Sequence, residues 1–537
     1  MTGKLFYGDN LDVLREHVPP ESVDLVYLDP PFNSNANYNI LFKSKTGDGA
    51  DAQIEAFEDT WHWNDRAEDA FDQVMRSGNT DAAELLRAMR GFLGGNDMMA
   101  YLAMMAIRLI ELHRVLKPTG SLYLHCDPTA SHYLKLLLDG VFGAGNFVNE
   151  IIWKRSDAHN DAKQGARHFG RLHDTLLFYR KSDAAPFKTD YTPLPRSTVD
   201  KWYRHIEEGT GRRYNKADVT GPGGAAKGNP HYEWNGVKRY WRYSRETMER
   251  LEREGRLTYT SSGMTYQKRY LDESKGVSLQ SVWDDIPMLR GLNSTGERLG
   301  YPTQKPLALL ERIIAASSNE GETVLDPFCG CGTAVHAAER LGRNWIGIDI
   351  THLAISLIEK RLRDAFPGVA FSVEGTPKDL ASAQDLASRD KYQFQWWACS
   401  MVDAYPYGGK KKGADGGIDG IIYFKPDGRR TEKAIVSVKG GETKSVAFVE
   451  QLAATVARES ATAGILITLP LPTREMESRA AAVGRFESEA TARTYPKLQI
   501  ITLAELFQGK RPDLPYVDTA SVKRAKREET GRQEKLI

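Results

Sequence analysis

Two short apolar runs in the chain end in the same way. Residues 23–28 read VDLVYL and are followed by DPPF, beginning at Asp29. Residues 323–325 read TVL and are followed by DPF, beginning at Asp326. Apolar runs of this length that stop at a proline predict buried strands rather than helices. Each strand is therefore predicted to end at an aspartate that the following turn holds in place.

A strand–turn–helix–strand pattern surrounds the second run. GCGT at 330–333 predicts a tight turn, and apolar residues at helical spacing predict a helix over 333–341. RNWIGIDI then predicts a strand that ends at Asp349. The separation of Gly330 from Asp349 is close to the roughly 20 residues between the glycine turn and the ribose-binding carboxylate of dinucleotide folds. The full GxGxxG fingerprint is absent, which favours a cofactor with adenosine but no pyrophosphate, such as S-adenosylmethionine.

Five motifs in order resemble the amino-methylating DNA methyltransferases of the permuted (beta) class, in which the catalytic motif precedes the cofactor motif. LDPPF at 28–32 is similar to the catalytic motif of that family, and DPFCGCGT at 326–333 to its cofactor loop, with Cys331 where serine is commoner. The other three segments are FYGDNLDVL at 6–14, RVLKPTGSLYLH at 114–125 and YPTQKPLALLERII at 301–314.

This resemblance implies an α/β fold with a Rossmann-like methyltransferase sheet over residues 1–365. It implies a site-specific enzyme that transfers a methyl group from S-adenosylmethionine to the exocyclic amino group of a flipped base in double-stranded DNA. Adenine N6 is the favoured target and cytosine N4 stays open. A role in restriction-modification or phage defence, with a partner protein of such a system, and pairing as a homodimer also follow from the resemblance.

The DPPF segment has a clear chemical use. An exocyclic amino group is a poor nucleophile because its lone pair is delocalised into the ring, and two acceptors for its N–H groups would localise that pair. Asp29 offers a carboxylate and Pro30 a carbonyl, while Pro30 and Pro31 fix the backbone φ. Phe32 is suited to stack on a base that has left the duplex. Taken alone, the segment also fits a strand-terminating turn with a capping aspartate.

The cofactor is expected between the two strand ends. By resemblance, its methionine part is surrounded by Asp326, Phe328, Gly330 and Gly332. Asp349 is expected on the ribose hydroxyls, and Asp9 near the adenine. Thr303 and Lys305 are candidates for the methionine carboxylate, although Lys305 also fits a solvated surface lysine.

Residues 155–295 are predicted to form the target-recognition insert. HYEWNGVKRYWRYS at 231–244 interleaves basic and aromatic residues, and Asn235-Gly236 predicts a hairpin turn. A helix is predicted over 245–254. Such a mixture suits phosphate contacts and base stacking. The DNA-binding candidates are Trp234, Lys238, Arg239, Trp241 and Arg242. The alternative is a structural extension in which the aromatic residues form a core.

The rest of the chain is predicted to form a second, smaller α/β domain. Residues 366–389 read as a linker, 390–508 resemble a PD-(D/E)xK restriction-endonuclease core of the Mrr type, and 509–537 form a charged tail. Asp419 would hold Mg²⁺ in such a core and Lys439 would orient water. Ser437 stands where a second acidic ligand is expected, with Asp415 and Glu450 as substitutes, so cleavage stays open.

Composition adds little to this picture. The 537 residues carry 72 basic and 71 acidic side chains, so net charge does not decide whether DNA is bound. Four cysteines are too few for a disulfide framework, and no second pair turns Cys329 and Cys331 into a zinc site. The N-terminal residues lack an apolar signal core, which favours a cytoplasmic protein.

Two rival functions follow from the same motifs. One is an RNA or protein methyltransferase, which the basic and aromatic insert and the nuclease-like half disfavour. The other is a non-catalytic DNA-binding protein that has kept the motifs, which the intact Asp29 and Asp349 disfavour.

Overall fold

The computed structural model of the chain describes residues 3–31, 37–42, 52–58, 63–157, 167, 169–289, 297–299, 301, 303–407, 417–427, 430–489 and 491–515. The described residues form two compact units. Thr189–Gln280 is the smaller unit, and the described residues on either side of it form the larger one. Among the helices of these ranges, none combines the length and the apolar character that crossing a lipid bilayer requires.

The strands are β1 Gly3–Tyr7, β2 Val23–Leu28, β3 Asn37–Phe42, β4 Ala52–Glu58, β5 Leu116–Cys126, β6 Phe147–Lys154, β7 His173–Arg180, β8 Tyr191–Thr192, β9 His205–Ile206, β10 Arg213–Asp218, β11 His231–Trp234, β12 Val237–Tyr240, β13 Leu257–Tyr259, β14 Thr265–Tyr270, β15 Val277–Ser278, β16 Val282–Trp283, β17 Thr323–Asp326, β18 Asn344–Asp349, β19 Phe371–Glu374, β20 Tyr405–Pro406, β21 Gly420–Phe424, β22 Glu432–Lys439, β23 Ala463–Thr468, β24 Arg485–Ser488, β25 Arg493–Pro496 and β26 Leu498–Thr502.

The helices are α1 Asn10–His17, α2 Asp65–Arg76, α3 Thr80–Leu93, α4 Asp97–Val115, α5 Ser131–Phe142, α6 Arg196–Trp202, α7 Arg245–Arg253, α8 Leu307–Ser317, α9 Thr333–Arg340, α10 His352–Ala365, α11 Leu380–Arg389, α12 Lys391–Ser400, α13 Val446–Arg458, α14 Arg474–Ala482 and α15 Leu503–Phe507. The predicted strands at 23–28 and 323–325 and the predicted helices at 333–341 and 245–254 are confirmed within one or two residues.

A nine-stranded sheet organises the first part of the larger unit, in the order β16-β6-β7-β5-β2-β17-β18-β1-β19. The pairs from β5 to β19 are parallel, and β7 runs antiparallel to both of its neighbours. The four neighbouring strands β2, β17, β18 and β1 end at or just before Asp29, Asp326, Asp349 and Asp9. Because parallel strands share a carboxyl end, these four aspartates meet there.

Helix α4 anchors one face of the sheet. It is apolar on nearly all sides, as expected for a helix inside a core, and its side chains join those of β2, β5 and α5 in one cluster. One charged side chain, Arg108, is buried within it and is 4% exposed. An arginine so deeply buried requires a fixed acidic or carbonyl partner.

Residues 366–389 differ from the linker expected there. Strand β19 pairs in parallel with β1 and extends the nine-stranded sheet. Helix α11 begins at an Asp379 capping box and buries Ala383 and Leu386 in the core of the following domain. The segment reads as polar because most of its side chains face solvent, and its regular structure depends on the sheet and the helix that it contacts.

The C-terminal part has an α/β/α arrangement around a five-stranded sheet of order β20-β21-β22-β23-β26. Strands β22, β23 and β26 are parallel, and β20 and β21 are antiparallel additions. Helices α12 and α15 cover one face, and α13 and α14 cover the other. The sequence of this part predicts strands over 418–424, 433–441 and 464–469 and a helix over about 445–459. Strands β21, β22 and β23 and helix α13 confirm them within two residues.

The smaller unit contains the predicted hairpin, in which β11 and β12 are joined by Asn235 and Gly236. Their φ angles are 45° and 76°, the left-handed values that a two-residue hairpin turn favours. Trp234 and Trp241 are only 8% and 0% exposed and pack in a core with residues of α7. The expectation that these two indoles contact DNA is therefore wrong, since they fill the core that holds the hairpin.

The basic residues of the hairpin, in contrast to the two tryptophans, lie on its surface. Lys238, Arg239 and Arg242 are exposed to solvent. Lys238, Arg239 and Tyr240 are consecutive and all exposed, whereas Trp241 after them is buried. The hairpin therefore carries its cations on the surface and its tryptophans in the core.

Candidate active site at the carboxyl end of the sheet

A cavity of about 260 Å³ lies where the four aspartate-ending strands meet. Of the predicted site residues, those that line it are Asp9, Asp29, Pro31, Thr303, Lys305, Asp326, Phe328, Gly330 and Asp349. Pro30 and Gly332 lie beside lining residues in the same two loops. Phe32 lies outside the described residues. The catalytic and cofactor motifs, almost 300 residues apart in the chain, thus share one cavity.

The carboxylate of Asp29 is held by a lysine. Lys305 Nζ forms an ion pair with Asp29 Oδ2, and the two side chains are only 12% and 16% exposed. The alternative that Lys305 is a solvated surface lysine is therefore wrong. The ion pair fixes one oxygen of the carboxylate beside the cavity, so that little freedom is left for Asp29 to lose when it binds another group.

Asp349 is fixed by its own loop and by the glycine turn. Its Oδ2 accepts the Gly330 N–H at 2.9 Å, and its Oδ1 accepts the N–H and the hydroxyl of Thr351, each at 2.8 Å. Its enclosed position raises the pKa of Asp349 to about 6, although the bonds from Thr351 and Gly330 act in the opposite direction. Asp349 is therefore a carboxylate with a fixed orientation and weakened acidity.

The glycine turn needs glycine for a steric reason. Gly332 has a φ of 73°, and a Cβ atom placed on it would lie 2.8 Å from Ile358 Cγ1. Asp326, 4% exposed, starts this loop and accepts the Phe328 N–H at 3.1 Å. Burial raises the pKa of Asp326 well above its ordinary value. Because Ile358 is part of α10, the close approach at Gly332 places the loop backbone directly against that helix.

A buried arginine also supports this loop from α10. Arg361, 3% exposed, donates to the Cys331 carbonyl at 3.0 Å and to the Thr333 hydroxyl at 3.2 Å. Its Nε lies 3.1 Å from His336 Nδ1. Arg361 was not predicted, because neither it nor any residue around it matches a motif.

Asp9 takes part in a network that links α1 to the glycine loop. It caps α1 by accepting the Leu11 N–H at 2.8 Å, and Arg108 donates to both of its oxygens at 2.9 and 3.0 Å. Arg108 Nε also donates to Asn10 Oδ1 at 2.6 Å, and Asn10 Nδ2 donates to the Pro327 carbonyl at 2.9 Å. Arg108 was missed, although a lone arginine in the apolar run YLAMMAIRLI is a signal for a buried ion pair.

Two further lining residues were missed. Tyr27 borders the cavity, and its hydroxyl lies 3.0 Å from His125 Nδ1, whose Nε2 lies 3.3 Å from Asp174 Oδ2. These three residues come from β2, β5 and β7, which meet only in the folded sheet. Ile350, directly after Asp349, lines the cavity with a side chain that is 56% exposed.

In the C-terminal domain Asp419 directly precedes β21, and Ser437 and Lys439 lie on the neighbouring strand β22. Asp419 Oδ2 accepts the Val438 N–H at 2.7 Å and the Ser437 hydroxyl at 3.3 Å. Lys439 Nζ lies 5.4 Å from the centre of the Phe448 ring. Within the described ranges no group of three or more His, Cys, Asp and Glu side chains is arranged to hold a metal ion.

Asp415 and Glu450 are the two acidic residues that were considered as substitutes for the missing carboxylate at position 437. Asp415 lies outside the described residues. Glu450 is on α13, where its carboxylate lies 3.9 Å from Arg479 and is 59% exposed.

Comparison with known proteins agrees with this arrangement. Residues 23–360, more than half of the chain, match the family of DNA methylases that comprises the N6 and N4 methyltransferases. The chain belongs to this DNA methylase family. S-adenosylmethionine is the cofactor of the family. In this DNA methylase, residues 400–508 match a second family, described as NACHT-associated inactive restriction endonuclease 1.

The methylase is similar to several bacterial proteins. It is 30% identical over 270 residues to the type II methyltransferase M.EcaI of Enterobacter cloacae. The aligned region makes up 49% of this chain and 57% of that protein. It is 28% identical over 354 residues to the Mod subunit of the type III restriction-modification enzyme StyLTI of Salmonella typhimurium, covering 62% and 49%. It is 26% identical over 358 residues to the DNA adenine methyltransferase YhdJ of Escherichia coli K12, covering 67% and 82%. The chain spans about half the length of M.EcaI and of the StyLTI Mod subunit.

The raised pKa of Asp349 generates a pH prediction. If its ionised carboxylate accepts the ribose hydroxyls, binding of S-adenosylmethionine selects the ionised form. The dissociation constant should then rise as pH falls below about 6, by up to about tenfold per unit. Asp349→Asn should bind more weakly at pH 7.5 and lose this pH dependence, and Asp349→Ala should weaken binding by about 1.5–3 kcal/mol. Calorimetry between pH 5 and 7.5 measures this, and a constant wild-type affinity over that range would contradict it.

Proposed function

We propose that this protein is a site-specific DNA methyltransferase that transfers a methyl group from S-adenosylmethionine to the exocyclic amino group of a base. The observation that carries the proposal is that one cavity is lined by Asp29 of the catalytic motif, by residues of the cofactor loop, and by Asp349 at the end of β18. Membership of the DNA methylase family supports it. The order of the two motifs in the chain supports assignment to the permuted class.

The residues around the cavity fit S-adenosylmethionine. Asp349 presents a carboxylate suited to two ribose hydroxyls, and Ile350 presents exposed apolar surface suited to an adenine ring. A Cβ atom on Gly330 would lie 3.3 Å from the Tyr301 ring and narrow the cavity. Thr303 and Lys305 remain our candidates for the methionine carboxylate, and Asp9 for the neighbourhood of the adenine.

The chemistry assigned to the chain is localisation of a lone pair. S-adenosylmethionine supplies an electrophilic methyl group when bound. Asp29 accepts one N–H of the target amino group, and the Pro30 carbonyl accepts the other, so that the nitrogen lone pair is directed at the methyl group. Lys305 holds Asp29 Oδ2, which leaves Oδ1 as the oxygen for the base. As the new N–C bond forms, the bond between the methyl carbon and the cofactor sulfur breaks and its electron pair stays on the sulfur. The methylated nitrogen gives up one proton, and Asp29 is the proposed acceptor.

We favour adenine N6 as the target atom. The DPPF motif and the likeness to a protein named as a DNA adenine methyltransferase support adenine. Cytosine N4 is the alternative, since the family comprises both classes. A restriction-modification or phage-defence role is proposed from the names of the similar proteins. A homodimer and a defence-system partner remain predictions.

The smaller unit is proposed to read DNA through its exposed basic side chains. Lys238 and Arg239 lie on strand β12 of the hairpin, and Arg242 follows that strand by two residues. Trp234 and Trp241 are part of the core that supports the hairpin. A rigid hairpin with cations on its solvent face suits phosphate contacts, and the exposed Tyr240, 37% accessible, is the aromatic residue of the hairpin that is available for stacking.

The C-terminal domain is proposed to lack nuclease activity. Its family is described as inactive, and Ser437 leaves Asp419 without a second anionic ligand at the expected position. A backbone N–H and a hydroxyl donate to Asp419 Oδ2, and such donors stabilise a carboxylate without a metal ion. The alternative remains a Mg²⁺-dependent nuclease of the PD-(D/E)xK type that uses Asp419 and Lys439.

The first test concerns Asp29. Asp29→Ala should lower methyl transfer by at least about 10²–10⁴-fold, because the lone pair is no longer localised. Asp29→Asn should lose a similar factor while keeping the shape of the site. Radiolabelled methyl transfer to unmethylated DNA, followed by nucleoside analysis, measures the rate and identifies the base. Calorimetry should find S-adenosylmethionine affinity close to that of the wild type, and turnover within a few-fold of wild type would remove Asp29 from catalysis.

The second test concerns the hairpin. Replacing Lys238 and Arg239 by alanine should weaken DNA binding across sequences and reduce the salt slope of the binding constant by roughly 1 to 2. Cofactor affinity should not change. Arg253→Ala removes an exposed arginine of the same unit from α7 and serves as the control. An unchanged salt slope in the double variant, or an equal change in the control, would contradict the assignment.

The third test concerns cleavage. Supercoiled plasmid, methylated or unmethylated, should stay intact with the wild-type protein in Mg²⁺ or Mn²⁺. Ser437→Glu restores a second carboxylate beside Asp419 and is the variant in which nicking is most expected. Asp419→Ala combined with Ser437→Glu is its control. Wild-type cleavage that Asp419→Ala abolishes would establish the alternative, and cleavage that persists in Asp419→Ala would exclude Asp419 from any nuclease site.

A further inference from the structure

Helix α12 has two buried faces with different neighbours. Phe394, Trp397, Ala398 and Cys399 lie in the core of the C-terminal domain. Trp396 lies instead in a separate cluster, with Tyr301 and Cys331. The helix stands between residues 23–360, which match the methylase family, and residues 400–508, which match the inactive endonuclease family. Helix α12 therefore contacts both the residues that match the methylase family and the C-terminal domain.

The first contact with the cofactor site is apolar. Trp396, Tyr301 and Cys331 are 4%, 5% and 4% exposed, and Leu353 and Leu357 of α10 pack against them. Tyr301 and Cys331 both line the cavity. The indole of Trp396 thus lies behind two residues of the cavity wall, on the side away from the space that the cofactor would fill.

The second contact reaches the loop after Asp349. Gln393, one turn before Trp396, accepts the His352 N–H at 3.1 Å through Oε1, and both residues are buried. The His352 ring stacks on Tyr7 with centroids 3.6 Å apart. Tyr7 directly precedes the Gly8-Asp9 turn. Gln393 therefore supports two of the aspartate-bearing loops through one residue, His352.

The same helix is fixed on the C-terminal sheet. A Cβ atom on Gly440 would lie 2.6 Å from the Phe394 ring, so the strand that ends at Lys439 approaches α12 closely. The Cys399 thiol donates to the Asp419 carbonyl at 3.5 Å. One rigid helix of ten residues therefore contacts the backbone beside Asp419 and Lys439 and the wall of the cofactor cavity.

We propose that α12 is a positioning element of the cofactor site that couples cofactor occupancy to the C-terminal domain, with Trp396 and Gln393 as positioning residues. The inference rests on the proposed use of this cavity for S-adenosylmethionine. Neither residue touches the cavity itself. Each acts by fixing a neighbour: Trp396 fixes Tyr301 and Cys331, and Gln393 fixes His352 after the Asp349 loop.

The chain offers a matched pair of variants for the test. Trp396 and Trp397 are adjacent, have the same side chain and are 4% and 5% exposed, but Trp397 faces the C-terminal core. Trp396→Ala should raise the dissociation constant and the KM for S-adenosylmethionine by about 3- to 30-fold, with kcat at saturating cofactor unchanged. Trp397→Ala should lower the thermal stability comparably and change cofactor affinity by no more than about twofold. Trp396→Phe should recover most of the affinity.

A second measurement does not depend on Trp396→Ala folding well. In the wild-type protein, S-adenosylmethionine should slow amide hydrogen exchange in peptides covering residues 391–400, and Gln393→Leu should reduce that protection. Reciprocity requires this, because a helix that stabilises the bound state is itself stabilised by binding. A wild-type protein that binds no S-adenosylmethionine would contradict the proposed function. Wild-type binding with equal effects of the two tryptophan variants, or with no protection of α12, would overturn the coupling alone.

Discussion

The convergence of four carboxylates at the carboxyl end of one sheet is the constraint on which the site depends. Like charges at short range raise the free energy of the folded state unless each has a fixed partner. The partners are Arg108 for Asp9, Lys305 for Asp29, the Phe328 N–H for Asp326, and Thr351 with the Gly330 N–H for Asp349. Because two of these partners are enclosed cations from α4 and from the segment before α8, distant parts of the chain are needed to make the cavity stable.

The glycine loop is held from several sides by groups that do not line the cavity. Arg361 of α10 donates to the Cys331 carbonyl and the Thr333 hydroxyl. Gly332 allows the loop to lie against Ile358, and Trp396 of α12 packs against Cys331. A loop supported in this way has little conformational entropy left to lose when a ligand binds. The preorganisation of this loop is therefore a property of helices α10 and α12 as much as of the loop sequence.

The sequence was sufficient for the parts of the fold that depend on local pattern. Both aspartate-ending strands, the glycine turn, the Asn235-Gly236 hairpin and the C-terminal strands follow from hydrophobic runs and turn residues, and the cavity joins the motifs as expected. Arg108, Arg361 and Tyr27 could not be located, because their roles come from contacts across the sheet. Trp234 and Trp241 were misassigned because a mixture of basic and aromatic residues does not show which of the aromatic side chains are buried. The linker was misassigned because β19 and α11 are stabilised by neighbours and not by their own pattern.

Strand β19 also determines where this chain can be divided. It occupies the last position in the nine-stranded sheet, beside β1, although it follows the residues that match the methylase family. A fragment that stops at residue 365 would leave the backbone N–H and C=O groups of Gly3–Phe6 in β1 without that partner. An uncovered edge of this kind pairs readily with other chains and favours aggregation. The segment after 365 thus protects the methylase sheet from self-association, in addition to leading into the second domain.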